Sequence, residues 1–270
     1  MNCINGQTQI LGLLGQSIEH SHSFRLHNFC LQSLGLNAVY LPFQTQTETF
    51  ETLFSLDHFV GANVTMPFKT TIQQHVHHVT ETARNIGAIN TIYKQDQKII
   101  GDNTDAIGFT SSLKAYNIPW TARNVYIIGA GGAAKAVCHA LAKLQVTHVR
   151  VWNRSLEKIE TLSQEIQVAR WDLSQPSEPS IIIQCTPLGR LGEDPIPNIC
   201  FDSTSIVVDL LYQHTPLLER VQQAGGLAIN GLGMLIHQAA HSFGQWFQCS
   251  PPIAMMESIP EIRIQLEKSA

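Results

Sequence analysis

The sequence has few charged residues, no excess of basic residues and no long apolar run. No stretch approaches the roughly 20 consecutive apolar residues that a membrane-spanning helix needs, and Met1–Gly15 lacks the basic start and apolar run of a secretory signal. The net charge is −4, whereas nucleic acids and anionic membranes attract clustered Lys and Arg. We therefore expect a soluble, cytoplasmic protein with no nucleic-acid and no membrane partner.

The sequence also lacks the spacings that metal and redox sites need. Its six cysteines contain no Cys-x-x-Cys pair, so reduced, mostly buried thiols are expected. Twelve histidines are present, and three of them lie close together at His75, His77 and His78, but no acidic partner set accompanies them. We predict no metal site. A metal enzyme stays an alternative, which loss of activity in a chelator would support.

Short apolar runs alternate with segments of helical period along the chain, which is typical of α/β proteins. At 270 residues and 44% hydrophobic content, the chain is large enough for two domains. In the first part we predict strands at Gln9–Gly15, Ala38–Gln44, Ala62–Met66 and Gly87–Tyr93, and helices at Ser23–Leu34, Thr49–Leu56 and Phe68–His77.

A second strand–helix series begins at Asn124. Its predicted strands are nearly all apolar, as parallel strands covered on both faces should be. The predicted strands are Val125–Ile128, Val149–Trp152, Ile181–Gln184 and Ile206–Leu210, and the predicted helices are Ala106–Tyr116, Ala133–Leu144 and Gly233–Phe247.

A glycine-rich turn joins the first strand of this series to its helix. It consists of Gly129, Ala130, Gly131, Gly132 and Ala133. Glycines at this place let the backbone approach a pyrophosphate, whose charge is held by N–H groups at the helix N-terminus. Because glycine turns are also common as purely structural features, the interpretation depends on the next strand.

The end of the next strand favours NADP(H) over NAD(H). An NAD site usually carries an Asp or Glu there for the ribose hydroxyls, whereas this chain has Asn153, Arg154 and Ser155, with Lys158 one turn further on. Basic side chains match a 2′-phosphate, and one charge-assisted hydrogen bond is worth about 1.5–3 kcal/mol, or roughly a tenfold to hundredfold preference. The alternative is that Arg154 and Lys158 form an ordinary solvated face.

Two polar clusters outside the nucleotide half are candidates for the chemistry. Hydride transfer to a ketone needs a positioned cation or acid at the carbonyl oxygen. Lys69 falls in the first turn of a predicted helix, where the helix dipole disfavours a cation, so a functional reason for it is attractive. Asp105 ends the cluster Gly101–Asp105, although Thr104 and Asp105 also suit a helix N-terminus. Helix capping is likewise the alternative for Ser21–Ser23.

Several separate motifs, in the same order, resemble those of the shikimate dehydrogenase family over nearly the whole chain. They are Ser21–Ser23, Asn63–Lys69, Gly87–Thr91, Gly101–Asp105, the glycine turn, Asn153–Ser155, Thr186–Gly189, Asp209–Tyr212 and Asn230–Gln238. Two details depart from the commonest form of the family. His22 lies between the paired serines, and Lys135 follows the glycine turn where a smaller residue or Arg is frequent; neither removes a functional group.

The resemblance implies a domain organisation and a role for each residue. It implies an α/β fold with an N-terminal substrate domain (1–104), a Rossmann-type, doubly wound NADP-binding domain (105–232) and C-terminal helices that return to the substrate domain (233–270). The implied catalytic pair is Lys69 and Asp105. The implied substrate-binding residues are Ser21, Ser23, Asn63, Thr65, Asn90, Tyr212 and Gln238. The implied cofactor-binding residues are Gly129, Ala130, Gly131, Gly132, Ala133, Asn153, Arg154, Ser155, Lys158, Thr186, Leu210 and Gly231.

The implied activity is the reversible, NADPH-dependent reduction of 3-dehydroshikimate to shikimate, on the pathway to chorismate and the aromatic amino acids. Lys69 would stabilise the developing alkoxide and donate its proton, while Asp105 orients it. One alternative is a quinate/shikimate dehydrogenase that uses NAD or NADP; Arg154 argues against NAD, and Thr65 is consistent with shikimate. Another is a cofactor-binding regulator without turnover, which the presence of both catalytic residues disfavours. A monomer or a homodimer is expected.

Overall fold

The protein folds into two compact α/β units. The computed structural model describes residues 4–165, 167–176, 179–250 and 252–269, and for residues 164, 165 and 267–269 it gives the backbone only. One unit comprises Met1–Gly108 with Ile236–Arg263, and the other comprises Phe109–Leu235 with Ile264–Ala270. Each contains a six-stranded sheet, so the predicted α/β class is confirmed. None of the helices in these ranges is long and apolar enough to cross a bilayer.

The helices and strands alternate along the chain. In chain order, the strands are β1 (Gln9–Gly15), β2 (Ala38–Gln44), β3 (Phe59–Val64), β4 (His78–Val79), β5 (Thr91–Gln95), β6 (Lys98–Asp102), β7 (Asn124–Ile128), β8 (Val149–Trp152), β9 (Ala169–Arg170), β10 (Ser180–Gln184), β11 (Ile206–Asp209) and β12 (Leu227–Ile229). The α-helices are α1 (Ser23–Ser33), α2 (Phe50–Phe54), α3 (Glu81–Ile86), α4 (Asp105–Ser112), α5 (Gly132–Lys143), α6 (Leu156–Glu165), α7 (Pro216–Gln223), α8 (Leu232–Phe247), α9 (Ile253–Glu257) and α10 (Pro260–Ser269).

The first sheet is mixed, with the strand order β2-β1-β3-β5-β6-β4. Strand β1 runs parallel to β2 and β3, whereas β5 runs antiparallel to β3 and β6. In this register Asn63 near the end of β3 is paired with Thr91 at the start of β5. The segments that follow β1 and β3 and the segment that precedes β5 therefore lie at one edge of the sheet.

An aromatic core covers this sheet, and one of its members, Phe68, lies in the segment after β3. The ring of Phe50 lies 5.2 Å from that of Phe68, and Phe54 lies 5.6 Å from Phe59. Phe68 is 4% exposed, and burying a side chain of this size contributes roughly 1.5–3 kcal/mol. Burial of Phe68 thus anchors the backbone next to Lys69.

The second sheet has the strand order β12-β11-β10-β7-β8-β9, and all of its pairs are parallel. Counted from β7 as the first strand, this is the 3-2-1-4-5-6 order of the doubly wound dinucleotide-binding fold. The order reverses between β7 and β10, and such folds bind their ligands outside the C-terminal strand ends at this switch point. The predicted Rossmann-type sheet is confirmed.

The predicted helix over Phe68–His77 is wrong. The segment forms two short 3₁₀ helices instead, Phe68–Thr70 and Ile72–His75. Adjacent β-branched residues, Thr70 and Thr71, are weak helix formers, and tertiary packing of Phe68 and Ile72 determines the backbone here.

Helix α3 and the β5–β6 hairpin were not predicted, and the predicted strand Gly87–Tyr93 begins too early. Gly87 ends α3 in the left-handed region, at φ 69°, and β5 starts only at Thr91. Two residues with positive φ, Asp96 at 49° and Gln97 at 60°, connect β5 to β6. This turn usually carries Asn-Gly or Asp-Gly, so the Asp-Gln sequence gave no signal.

All three divisions between the units fall inside helices. They follow Gly108 within α4, Leu235 within α8 and Arg263 within α10. The predicted boundaries, 104/105 and 232/233, lie at or next to the starts of α4 and α8. The start of a helix can be recognised in a sequence, whereas a change of packing partner along a helix cannot. Residues 264–270 belong to the second unit, whereas the sequence grouped 233–270 with the substrate domain.

Candidate active site

Lys69 lies on the 3₁₀ turn that follows β3. The backbone N–H of Ile89 donates to the Lys69 carbonyl at 2.7 Å, so the lysine segment is tied to the segment that leads into β5. Because this segment is a short 3₁₀ turn and not the start of an α-helix, the argument that a helix dipole disfavours Lys69 is wrong. The functional interpretation of Lys69 therefore depends on its side-chain partner.

That partner is Asp105. Lys69 Nζ lies 2.5 Å from Asp105 Oδ2, and the two side chains are 18% and 6% exposed. A largely buried carboxylate is costly unless it is paired, and charge-assisted hydrogen bonds are the strong ones. Two residues that are 36 positions apart in the chain thus form an ion pair at the predicted catalytic positions.

Asp105 is held at the start of α4. Its backbone N–H donates to Asn103 Oδ1 at 2.9 Å, and a carboxylate in a first turn interacts favourably with the helix dipole. Asn90 Nδ2 donates to Asp105 Oδ1 at 2.8 Å. Both carboxylate oxygens therefore have partners, Lys69 on one and Asn90 on the other.

Asn90 is fixed in one orientation. Its Oδ1 accepts from the backbone N–H of Thr104 at 2.7 Å and from Thr91 Oγ1 at 2.9 Å. Because a backbone N–H can only donate, Oδ1 must face Thr104, and Nδ2 must face Asp105. The same Nδ2 lies 3.1 Å from Gln238 Oε1 on α8, so Asn90 and Gln238 are brought together as well.

Asn63 contacts the backbone of Asn90 and is 4% exposed. Its Oδ1 is 2.9 Å from Tyr40 Oη and 3.1 Å from His27 Nε2, and its Nδ2 donates to Ser242 Oγ at 2.9 Å. His27, Tyr40 and Ser242 were not predicted as site residues. Ser242 is 179 positions from Asn63, and no local pattern reports such a pairing; a histidine on the buried face of α1 was the one available signal.

The paired serines lie at the N-terminus of α1. Ser21 Oγ donates to Ser23 Oγ at 3.1 Å and accepts from the backbone N–H of Ser23 at 3.2 Å. Ser21 therefore satisfies one of the first N–H groups of the helix, so the capping interpretation and the binding interpretation apply to the same side chain. Thr65 packs against Gly15, where an added Cβ would lie 2.4 Å from Thr65 Cγ2.

In the glycine turn after β7, Gly129 and Gly131 are under different structural constraints. Gly129 adopts φ 112°, and an added Cβ would lie 2.9 Å from Thr186 Cγ2, so the turn and Thr186 are close together. At Gly131, no atom of the described residues lies within 4 Å of an added Cβ, so packing against them does not account for this glycine. Open space in front of the N-terminus of α5 fits a pyrophosphate.

The segment after β8 carries the groups predicted for the 2′-phosphate. Asn153 Nδ2 donates to the Ser155 carbonyl at 3.0 Å, which closes a tight turn. Arg154 and Lys158 are exposed. Their side chains can therefore reach an anionic ligand, and the exposure equally fits a solvated face.

Leu210 and Gly231 are in direct contact. An added Cβ on Gly231 would lie 2.1 Å from the Leu210 carbonyl oxygen, so only glycine fits. Tyr212 follows, and burial raises the pKa of its hydroxyl. Asp209, the last residue of β11, was not predicted as a site residue. Burial raises its pKa to about 6, although it accepts from the Leu211 N–H and the Thr215 hydroxyl.

Two of the three neighbouring histidines, His75 and His77, have structural contacts. The ring of His75 lies edge-on to Phe50 at 5.4 Å, and His77 Nδ1 accepts from the backbone N–H of Ile99 at 3.0 Å. Within the described ranges, no group of three or more His, Cys, Asp or Glu side chains is arranged to hold a metal ion.

Comparison with known proteins gives one consistent result. The shikimate dehydrogenase substrate-binding domain matches residues 13–92, the shikimate/quinate 5-dehydrogenase model matches 113–183, and the shikimate 5′-dehydrogenase C-terminal domain matches 231–258. The chain is 37% identical over 267 residues to the NADP⁺-dependent shikimate dehydrogenase of Paramagnetospirillum magneticum. This match covers 93% of this chain and 97% of that protein.

Solved structures agree with this comparison. The crystal structure of shikimate dehydrogenase from Aquifex aeolicus is similar with a TM-score of 0.85 and 37% identity, over 94% of this chain and 98% of the other. A shikimate dehydrogenase in complex with NADP⁺ is similar with a TM-score of 0.82 and 32% identity, over 100% of this chain and 98% of the other.

Proposed function

Because this chain belongs to the shikimate dehydrogenase family, we propose that it reduces 3-dehydroshikimate to shikimate with Lys69 and Asp105 as its catalytic pair. The protein is an oxidoreductase that acts on a CH–OH group, and its cofactor is NADP(H). The family name implies a place in the shikimate pathway, which leads to chorismate and the aromatic amino acids. The observation that carries the proposal is the 2.5 Å contact between Lys69 Nζ and Asp105 Oδ2.

The chemistry follows from where charge develops. NADPH, when bound, supplies the hydride that adds to the ketone carbon. The Lys69 ammonium stabilises the negative charge that grows on the carbonyl oxygen and gives that oxygen its proton. In the oxidative direction, neutral Lys69 accepts the hydroxyl proton. Lys69 thus serves as acid in one direction and as base in the other.

Asp105 and Asn90 hold the lysine for this step. The Asp105 carboxylate holds the Lys69 side chain in one rotamer through the ion pair. Asn90 in the same way holds the Asp105 carboxylate through its hydrogen bond to the other oxygen. Preorganised groups contribute most to catalysis because they need no rearrangement during the reaction. A lysine without these partners would spend much of its time in other rotamers.

The remaining substrate contacts are proposed from the family resemblance. Ser21 and Ser23 would bind the substrate carboxylate, supported by their place at the N-terminus of α1, where the dipole favours an anion. Asn63, Thr65, Asn90 and Gln238 offer amide and hydroxyl groups that suit ring hydroxyls, and their clustering at one edge of the first sheet supports this. Tyr212 would bind the carboxylate.

The second unit is proposed as the NADP-binding domain, and the first unit as the substrate domain. Support comes from the reversal of strand order beside β7 and from the open space before Gly131. The pyrophosphate would lie against residues 129–133, the 2′-phosphate against Asn153, Arg154, Ser155 and Lys158, and the nicotinamide near Thr186, Leu210 and Gly231.

A cytoplasmic location and a monomeric or homodimeric state complete the proposal. The five described cysteines are all free thiols, which is typical of proteins in a reducing compartment. Lys69, Asp105 and Asn90 come from one chain, which fits either state.

Initial rates with shikimate and quinate, each with NADP⁺ and NAD⁺, test the proposed function. We expect kcat/KM for shikimate to be at least about tenfold higher with NADP⁺ than with NAD⁺, because one charge-assisted hydrogen bond to the 2′-phosphate supplies roughly this factor. With NADP⁺, we expect shikimate to be preferred over quinate. The quinate alternative is favoured by the family model that covers 113–183; comparable rates with both acids would support it. Absence of turnover with all four pairs would contradict the proposal.

A further inference from the structure

His27 is a buried polar side chain for which the proposed mechanism has no use. It is 0% exposed, its ring is stacked on that of Tyr40 at 4.4 Å, and it lies 4.9 Å from the ring of Trp246. An imidazole enclosed by aromatic rings is costly unless its polar atoms have partners. Its Nε2 has one, Asn63 Oδ1 at 3.1 Å.

The neighbouring groups decide which His27 nitrogen carries the proton. Asn63 Nδ2 lies 3.3 Å from the Asn90 carbonyl oxygen, and a carbonyl can only accept. The amide nitrogen of Asn63 therefore faces Asn90, and its oxygen faces His27 and Tyr40. His27 must then donate from Nε2, while Nδ1 has no hydrogen-bond partner among the residues that the structure describes.

Burial keeps both donors in the required protonation state. Removal of the imidazole from water lowers the pKa of His27 to about 3, although the hydrogen bond to Asn63 acts in the opposite direction. Burial likewise raises the pKa of Tyr40 well above its ordinary value. Around neutral pH, Asn63 Oδ1 thus faces a neutral imidazole N–H and a neutral phenol O–H.

The hydrogen bonds continue from Asn63 to the catalytic pair. Asn63 Nδ2 contacts the Asn90 carbonyl and donates to Ser242 Oγ. Ser242 Oγ lies 2.8 Å from Thr91 Oγ1, which in turn donates to Asn90 Oδ1 at 2.9 Å. Asn90 is therefore held through its backbone and its side chain, and its Nδ2 holds Asp105.

We propose that His27 is a positioning residue for the reaction. Its Nε2–H, together with the Tyr40 hydroxyl, fixes the Asn63 amide, which orients Asn90 and so holds Asp105 against Lys69. No proton is transferred along this path, and His27 does not touch the reacting atoms. The inference rests on the proposed function, because it presumes that the Lys69–Asp105 pair carries the chemistry.

Two substitutions at His27 differ in where they place a donor. Glutamine carries its amide nitrogen about where Nε2 lies, whereas asparagine carries it about where Nδ1 lies and cannot reach Asn63. We expect His27→Asn to lower kcat for shikimate oxidation about two- to tenfold, the effect of losing one net hydrogen bond. His27→Gln should stay within about twofold of the unsubstituted enzyme, and KM for NADP⁺ should be unchanged in both.

Phe54→Leu is the control for a general loss of core packing. Phe54 is 6% exposed in the same unit, and its ring contacts are with Phe50 and Phe59. It should lower the melting temperature and leave kcat unchanged. If His27→Asn does not fold, Tyr40→Phe removes the other donor to Asn63 Oδ1 with the loss of one oxygen, and it should lower kcat in the same way.

The outcomes separate this inference from the proposed function. A fall in kcat with His27→Asn or Tyr40→Phe that His27→Gln and Phe54→Leu do not share supports the positioning role. Unchanged kcat in His27→Asn and Tyr40→Phe, or an equal fall in Phe54→Leu, overturns it. A Lys69→Ala variant is assayed beside them: if it stays active, the proposed function fails, and if it is inactive while the His27 variants are normal, only the positioning role fails.

Discussion

Asn90 donates to one oxygen of Asp105 at 2.8 Å, and this bond leaves the other oxygen to Lys69. The catalytic pair is therefore part of a larger buried arrangement in which both Asp105 oxygens and the Asn90 amide oxygen face donors. The backbone N–H of Thr104 sets the orientation of Asn90. An isolated Lys–Asp pair on the protein surface would have no such support.

The first prediction concerns Asn90→Ala. The substitution leaves the Thr104 N–H and one Asp105 oxygen without their partners, and each unsatisfied buried group costs about 1–3 kcal/mol. We expect kcat/KM for shikimate to fall at least about tenfold and the melting temperature to drop. The matched control is Asn85→Ala on the exposed face of α3, which should leave both unchanged; equal activity of the two variants would contradict the role of Asn90.

The second prediction concerns cofactor choice. Arg154→Ala should lower kcat/KM with NADPH roughly tenfold to hundredfold, because it removes a charge-assisted contact to the 2′-phosphate, and it should leave kcat/KM with NADH unchanged. Arg150→Ala, an exposed arginine on β8, is the control. If Arg154 is solvated and does not bind the cofactor, Arg154→Ala and Arg150→Ala should have the same kcat/KM with NADPH and the same kcat/KM with NADH.

The third prediction separates two glycines that look alike in the sequence. Gly131→Ala meets open space in the protein, so the variant should fold normally and lose NADPH affinity, since the methyl group occupies the place of the pyrophosphate. Gly231→Ala places Cβ against the Leu210 carbonyl, so it should destabilise the protein by about 1–3 kcal/mol or more. Thermal melts and NADPH titrations of both variants distinguish the effects; normal NADPH binding by Gly131→Ala would remove that glycine from the cofactor site.

The fourth prediction concerns acid stability. His27 has a folded-state pKa of about 3 against an ordinary 6.5, so below pH 6.5 the unfolded chain binds a proton that the folded chain does not. Stability therefore falls as the pH falls from about 6.5 towards 3. Between pH 7 and pH 5 this residue alone should remove about 2 kcal/mol from the free energy of unfolding.

Denaturant unfolding at the two pH values measures this effect. His27→Gln, which has no titrating group at that place, should lose about 2 kcal/mol less than the unsubstituted protein. All other groups titrate in both proteins, so their contributions cancel in the difference. The same pH dependence in the variant would show that His27 is charged in the fold or already neutral in the unfolded chain.

Much of the second unit was predictable from the sequence, because local sequence patterns indicate its strands and helices. The apolar run Val125–Ile128, the glycines after it and the helix that follows are contiguous, and their structure matches the prediction closely. The strand order could be expected from the right-handed crossover rule and the dinucleotide-binding pattern.

The supporting residues of the active site were not predictable in this way. Lys69 and Asp105 stood out by their motifs, but the reason given for Lys69, a place in the first turn of an α-helix, was wrong. His27, Tyr40 and Ser242 come from separate elements and meet only through tertiary packing. A periodicity argument assigns such residues to a buried face and says nothing about which polar atom each of them meets.

The role of Lys69 itself is tested most directly by the turnover of Lys69→Ala with saturating shikimate and NADP⁺. Lys98→Ala, an exposed lysine on β6, serves as the control for loss of a positive charge in the same unit. We expect kcat to fall about 100- to 10,000-fold in Lys69→Ala, the usual contribution of a positioned acid or base, with a much smaller change in KM and no change in Lys98→Ala. A Lys69→Ala enzyme with near-normal kcat would contradict the account.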